Sequence, residues 1–293
     1  MLEAQRRETP IKSCAKLEFA IFQNSAFVLL SVRHVPLNLQ NSPIKDTLIP
    51  QNEIFRTVND PMAQSSKSAE RIPTFIPGLD PLIQGGLQRG DFIILAGGVG
   101  CGKTTFAAQY VCNTIKMLDE PAVFVTFEED SESLRRNMSK FGMNLMMHEK
   151  ENKLKLLDLE ILESDGLGAN IDLILAALDK IHGKRLIIDS LTAFLTGAKD
   201  KFDYRFLTHL IYKTLKREGV TTMMTVSKSQ NMDLLSNSVE EFVADGVFVL
   251  EPFLSDSMEL RTRFMVRKLR GVDHSKKYHR VAFTPRGVEI LAW

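Results

Sequence analysis

Beyond about Arg71 the chain alternates two kinds of hydrophobic pattern. Apolar runs occur at Phe92–Ala96, Ala122–Phe127, Leu154–Leu159, Leu186–Ile188, Thr222–Val226 and Val247–Leu250. Such runs read as buried strands. Between them, apolar residues recur every three or four positions. Leu134, Met138 and Phe141 form one such stripe; Phe206, Leu207, Leu210, Ile211 and Leu215 form another. These predict amphipathic helices, and Gly183 and Gly219 stand where left-handed caps would close two helices. Alternation of strand and helix predicts an α/β fold with a mainly parallel central sheet and right-handed crossovers. The tail, 261–291, reads instead as a C-terminal antiparallel β extension turning at Pro285-Arg286-Gly287. No segment repeats.

Residues 1–69 lack this patterning. They carry scattered prolines (Pro10, Pro36, Pro43, Pro50, Pro61) and end in a polar stretch, AQSSKSAE at 63–70. The expected organisation is an N-terminal extension, 1–69, poorly ordered, followed by one domain over 70–293. Met62 stands just before the patterned region, and translation from Met62 is an expectation that an intact mass of native protein would decide. The apolar stretch Phe19–Val32 has 14 residues and contains Gln23 and Asn24. A membrane-spanning helix needs about 20, and Arg33-His34 stands where a signal peptide would have its cleavage site.

Charge is nearly balanced, with 37 Lys+Arg against 36 Asp+Glu, which disfavours a nucleic-acid-coating role. Three cysteines, Cys14, Cys101 and Cys112, show no metal-ligand spacing. A reducing, cytoplasmic location is the expectation.

The chemistry concentrates at Gly97-Gly98-Val99-Gly100-Cys101-Gly102-Lys103-Thr104, which fits G-x-x-x-x-G-K-[ST]. A strand pattern precedes it and a helix pattern (Phe106, Ala107, Tyr110, Val111) follows, so a chance glycine-rich turn is a poor alternative. Glycines let backbone N–H groups turn inward around phosphate oxygens, and the helix N-terminus adds positive partial charge. Lys103 is expected on the β- and γ-phosphates and Thr104 on Mg²⁺; Thr105 continues the phosphate-binding set. Cys101 reads as a small residue in a variable slot, or as a redox-sensitive thiol whose pKa the helix N-terminus lowers.

Asp189 ends the run Leu186–Ile188. A carboxylate at the carboxyl end of a buried parallel strand lies at the ligand crevice of such sheets and would order Mg²⁺ through water; its alternative role is to cap the next helix. Glu128 and Glu129 end the run Ala122–Phe127. One of them could orient or deprotonate an attacking water; alternatively both open a helix over 130–142.

Taken in order, Pro77-Gly78-Leu79-Asp80, Gly85-Gly86-Leu87, the phosphate loop, Phe127-Glu128-Glu129, Asp189-Ser190, Val239 to Gly246 and Lys268-Leu269-Arg270-Gly271 resemble the KaiC family of RecA-superfamily P-loop ATPases over about residues 71–291. The resemblance implies a RecA-like P-loop NTPase fold, ATP and Mg²⁺ as cofactors, and a self-assembled ring, hexameric in expectation, with ATP held between neighbours. It implies that Lys268 and Arg270 reach the next subunit's γ-phosphate, and that Leu269, His274 and Thr284 fall at further nucleotide contacts. On a regular strand Thr262, Phe264, Val266, Lys268 and Arg270 would share one face, so the two cations would extend an apolar stripe; a solvated basic edge is the alternative.

The sequence departs from the family at three points. It holds one module where the clock protein has two. It has Glu240 and Glu241 where the autokinase module carries phosphorylatable residues, which excludes self-phosphorylation at those two positions and leaves nearby Ser236 and Ser238 as the alternative. Val272 replaces a frequently polar residue. The expected function is Mg²⁺-dependent ATP hydrolysis at subunit interfaces with a regulatory output through an unidentified protein partner. A DNA-binding motor is the competing reading, because 261–286 holds nine Lys or Arg and one acid, Asp273. A non-hydrolysing ATP sensor and a protein kinase are the others.

Overall fold

The computed structural model describes residues 16–18, 31–33, 71–160, 167–197, 201–227 and 243–291, with side-chain detail from 71 onward except at 167 and 201–207. The chain divides into two units, Met1–Ala63 and Gln64–Trp293. In the first, β1 (Lys16–Glu18) pairs antiparallel with β2 (Ser31–Arg33). The expectations for the rest of the extension, most of Phe19–Val32, and Glu240 and Glu241 lie outside the described residues.

In the second unit, β3 (Arg71–Ile72) and β4 (Leu87–Gln88) form a small antiparallel pair. There follow β5 (Phe92–Gly97), α1 (Lys103–Leu118), β6 (Ala122–Thr126), α2 (Ser131–Ser139), α3 (Leu145–Lys150), β7 (Leu154–Asp158), α4 (Leu167–Lys180), β8 (Arg185–Asp189), α5 (Leu191–Phe194), α6 (Lys201–Arg217) and β9 (Thr221–Ser227). The tail adds β10 (Gly246–Leu254), β11 (Leu260–Leu269), β12 (His279–Thr284) and β13 (Gly287–Leu291). One sheet runs in the order β13-β12-β11-β10-β5-β9-β8-β6-β7. Strands from β10 through β7 are mutually parallel, and β11 to β13 join antiparallel. The expected mainly parallel sheet with an antiparallel extension is therefore present.

All six residues of β5 are buried, and alternate ones feed opposite cores. Ile93 and Leu95 pack with Phe106, Tyr110, Phe124, Phe248 and Phe264 on the α1 side. Phe92, Ile94 and Ala96 pack with Ile174, Phe194, Ile211 and Leu215 on the side of α4, α5 and α6. Two helix layers enclosing one sheet explain why β5 reads as an apolar run, whereas the edge strand β7 alternates, with Lys155 exposed between buried Leu154 and Leu156.

Several local expectations need correction. The helix predicted over 130–142 stops at Ser139; Gly142 takes φ +73° and α3 begins separately. Leu210 points to solvent, while Ile211 and Leu215 are buried. After α4 the left-handed residue is His182, not Gly183. Gly183 is small for another reason: a Cβ there would lie 2.8 Å from Leu178 Cδ2.

The largest correction concerns β11. Val247 pairs with Lys268, but Phe248 pairs with Val266, so Arg267 is the extra residue of a β-bulge. The bulge changes the strand's phase. Leu269 follows Phe264 and Val266 into the core, and Lys268 and Arg270 leave the stripe.

The tail is fastened to α1. Gln109, buried on that helix, accepts a hydrogen bond from Val288 N at 2.5 Å and donates one to Val288 O at 3.0 Å. Its amide thus satisfies β13 as another strand would. Among the described residues no helix is long and apolar enough to cross a membrane.

Candidate functional site

The phosphate loop leaves β5 at its carboxyl end. Gly97 must be glycine because a Cβ would stand 2.4 Å from Leu250 O and 2.6 Å from Cys101 Sγ. Gly102 has φ +89°, and a Cβ there would strike the Phe283 ring at 2.3 Å. The loop therefore rests on Leu250 and Pro252 of β10 and on Phe283 of β12. Val99 is 92% exposed, so it offers a ligand only its backbone. No side chain caps α1 at Gly102, which leaves the N–H groups of Lys103, Thr104 and Thr105 for an external anion. The Lys103 ammonium donates to Gly98 O at 2.8 Å and Gly97 O at 3.1 Å. With Gly98 and Gly100, these groups form a cationic cradle suited to phosphate.

Cys101 is buried, and its thiol donates to Gly98 O at 3.0 Å. Burial is the largest influence on it and pushes its pKa up, against the lowering effect of Lys103. The redox-switch reading required the opposite shift. Iodoacetamide at neutral pH should leave Cys101 unmodified in the native protein, as read by peptide mapping. Rapid alkylation of Cys101 before unfolding would overturn this.

The acidic end is built from neighbouring strands. Thr126 of β6 is level with Asp189 of β8. Ser190, not Asp189, caps α5: its hydroxyl accepts from Ala193 N at 3.1 Å. The same hydroxyl donates to Glu128 Oε1 at 2.8 Å. Asp189 Oδ1 accepts from the Thr225 hydroxyl of β9 at 2.5 Å. Glu129 turns the other way, accepting from Asn137 Nδ2 of α2 at 2.6 Å. Asp130 caps α2 through Ser133 N at 2.8 Å, and that N–H holds its carboxyl below the usual range. Neither glutamate caps a helix, and the two differ: Glu128 is held by Ser190, the residue after Asp189, while Glu129 is held against α2. Thr225, Asn137 and Phe283 were not singled out by the sequence reading, and Ser190 entered it only beside Asp189 in the family motif, with no role of its own.

Among the described residues no group of three His, Cys, Asp or Glu could hold a metal. Thr104 and Asp189 nonetheless fit Mg²⁺, which is commonly held by a hydroxyl, substrate phosphates and water with few protein carboxylates.

The cations of β11 are elsewhere. Gly246 pairs with Ile93 on one side and Leu269 on the other, so Lys268, Leu269 and Arg270 lie at the start of β5. The loop leaves its end, about 13 Å along the strand. Lys268 Nζ donates to Ala244 O at 2.7 Å, and the Arg270 guanidinium is 3.5 Å from Asp245 Oδ1. Leu269 is buried, which leaves only its backbone for a ligand. His274 is half-buried with Nδ1 3.1 Å from Ser275 O. Thr284 closes the β12–β13 turn, donating to Gly287 O at 3.2 Å beside Phe283.

The profile of the KaiC ATPase family matches residues 72–292. The chain belongs to the KaiC family of ATPases. It is 35% identical over 230 residues to the circadian clock oscillator protein KaiC of Parasynechococcus marenigrum, covering 76% of this chain and 45% of that protein. It is 36% identical over 227 residues to KaiC of Thermostichus vulcanus, covering 74% and 43%. The chain thus spans less than half the length of these two KaiC proteins. A solved KaiC-like protein of the hyperthermophilic archaeon Pyrococcus horikoshii superposes with TM-score 0.68 at 33% identity, covering 76% of this chain and 99% of the other. The KaiC match extends over both the phosphate loop and the β10–β13 tail, and the architecture is RecA-like.

Proposed function

We propose that this KaiC-family chain hydrolyses ATP with Mg²⁺ at the interfaces of a homo-oligomeric ring, expected to be a hexamer, acting in the cytoplasm with a regulatory or signalling output through a protein partner. One observation carries the reading. The phosphate cradle, Asp189 and Glu128 gather at the carboxyl ends of the strands, while Lys268 and Arg270 stand at the opposite end of β5. Cations so placed cannot serve their own loop; they suit a neighbour's.

In this mechanism, backbone N–H groups of 97–105 and the Lys103 ammonium bind the β- and γ-phosphates. Thr104 and Asp189 would hold Mg²⁺, which would supply charge neutralisation at the phosphate oxygens. Glu128, oriented by Ser190, aligns the attacking water and accepts its proton. Arg270 and Lys268 of the adjacent subunit stabilise charge developing on the γ-phosphoryl oxygens. Leu269, His274 and Thr284 complete the nucleotide contacts through backbone and polar groups. The buried thiols of Cys101 and Cys112 suit a reducing compartment.

The DNA-motor reading is less well supported. Of the nine cations in 261–286, Arg261, Arg263, Arg270 and Arg286 face Glu259, Glu251, Asp245 and Glu289. That pairing reduces the net positive field a phosphate backbone would meet.

Turnover measured across protein concentration, with sizing by light scattering, tests the proposal. Specific activity should rise as monomers assemble. Full activity from a monomer would overturn the interfacial site, and tight, salt-dependent DNA binding would favour the motor.

A further inference from the structure

Asp189 and the phosphate loop are not on adjacent strands. The order β5-β9-β8 inserts β9 between them, so the carboxylate and the loop stand about 10 Å apart in strand spacings. β9 is the strand from which a side chain can reach Asp189 beside the loop's own strand. Thr225 occupies that place. It pairs with Leu95 of β5, two residues before the loop's first glycine. It follows Met224, the partner of Ile188, which puts it level with Asp189. It is fully buried, and its hydroxyl donates to Asp189 Oδ1 at 2.5 Å. Asp189 Oδ2 has no hydrogen-bond partner among the described residues.

We infer that Thr225 is a positioning residue for the metal-binding carboxylate. Its hydroxyl occupies one oxygen of Asp189, sets the carboxylate's rotation, and leaves Oδ2 as the oxygen available to Mg²⁺-bound water. Without that hydroxyl the carboxylate would turn freely and would have to be ordered when Mg²⁺·ATP binds. The inference rests on the Mg²⁺·ATP reading of Asp189 and adds the element that orients it.

The test uses full-length protein and a fluorescent ATP analogue titrated in Mg²⁺ and in EDTA. The ratio of the two dissociation constants reports the metal's contribution apart from hydrolysis. Thr225→Val, which replaces hydroxyl by methyl, should lower that ratio roughly tenfold, the scale of one hydrogen bond to a charged group. Its affinity in EDTA should be unchanged. Thr225→Ser, which keeps the donor, should restore the wild-type ratio. Should Thr225→Val fail to fold, Thr225→Ala compared with Thr225→Ser makes the same distinction. A wild-type ratio in Thr225→Val or Thr225→Ala, alongside a collapsed ratio in Asp189→Asn, would overturn the role of Thr225 and leave the metal reading standing. An unchanged ratio in Asp189→Asn would overturn the metal reading, and the Thr225 inference with it.

Discussion

Glu128→Gln should lower ATP turnover about a thousandfold while leaving ATP binding intact, within the range that general acid–base catalysis contributes. Glutamine preserves shape and can still accept from Ser190, whose hydroxyl lies 2.8 Å from Glu128 Oε1. It cannot accept a proton from water. Glu129→Gln provides the contrast. Its carboxylate is committed to Asn137 at 2.6 Å, so the change should affect α2 anchoring, at a cost of about 1 kcal/mol, more than chemistry. Single-turnover hydrolysis with filter-bound nucleotide separates binding from the chemical step. If Glu129→Gln proves to be the inactive variant and Glu128→Gln the active one, the assignment is reversed.

Arg270→Ala should be lost to turnover by about a thousandfold as well, as expected when a charge-stabilising arginine is removed from phosphoryl transfer. The fold should tolerate it. Arg270 is 51% exposed, and Asp245 keeps Lys216 at 2.7 Å and the Phe92 N–H at 3.1 Å. A half-exposed ion pair of this kind contributes less than about 1 kcal/mol. The decisive measurement mixes inactive variants. Lys103→Ala subunits lack the phosphate lysine but carry Arg270; Arg270→Ala subunits have the reverse defect. Mixed rings should regain a fraction of wild-type turnover, because some interfaces then unite an intact loop with an intact arginine. No recovery in demonstrably mixed rings would place Arg270 outside the neighbouring site.

How much of this was legible in the residues depends on range. The central strands announced themselves because β5, β6, β8 and β9 are covered on both faces, and continuous burial leaves continuous apolar text. The loop was legible because its glycines meet local demands: a left-handed turn at Gly102 and a carbonyl close to Gly97. Features set by distant partners were not. Nothing near Arg267 marks it as a bulge, since the extra residue is defined only against Val247 and Phe248 across the hairpin. The α2 stripe ran past its end because Phe141 keeps helical spacing although Gly142 breaks the backbone. The two glutamates read as equivalent neighbours. Their difference lies in Ser190, 62 residues away from Glu128, and in Asn137 beside α2. Thr225 looked like one more β-branched residue in a strand until β8 was placed beside it.

The clasp between Gln109 and Val288 spans 179 positions of chain, and it bears on synthesis. A nascent polypeptide emits the phosphate-loop helix well before β13, the strand that completes that helix's surroundings. β10, which flanks β5, also emerges late. Vectorial folding can therefore assemble β6, β7, β8 and β9 before β10 and β13 emerge, but the phosphate loop must wait with one flank bare. Until β10 and the β12–β13 hairpin have emerged, the phosphate loop lacks the Leu250, Pro252 and Phe283 contacts on which it rests.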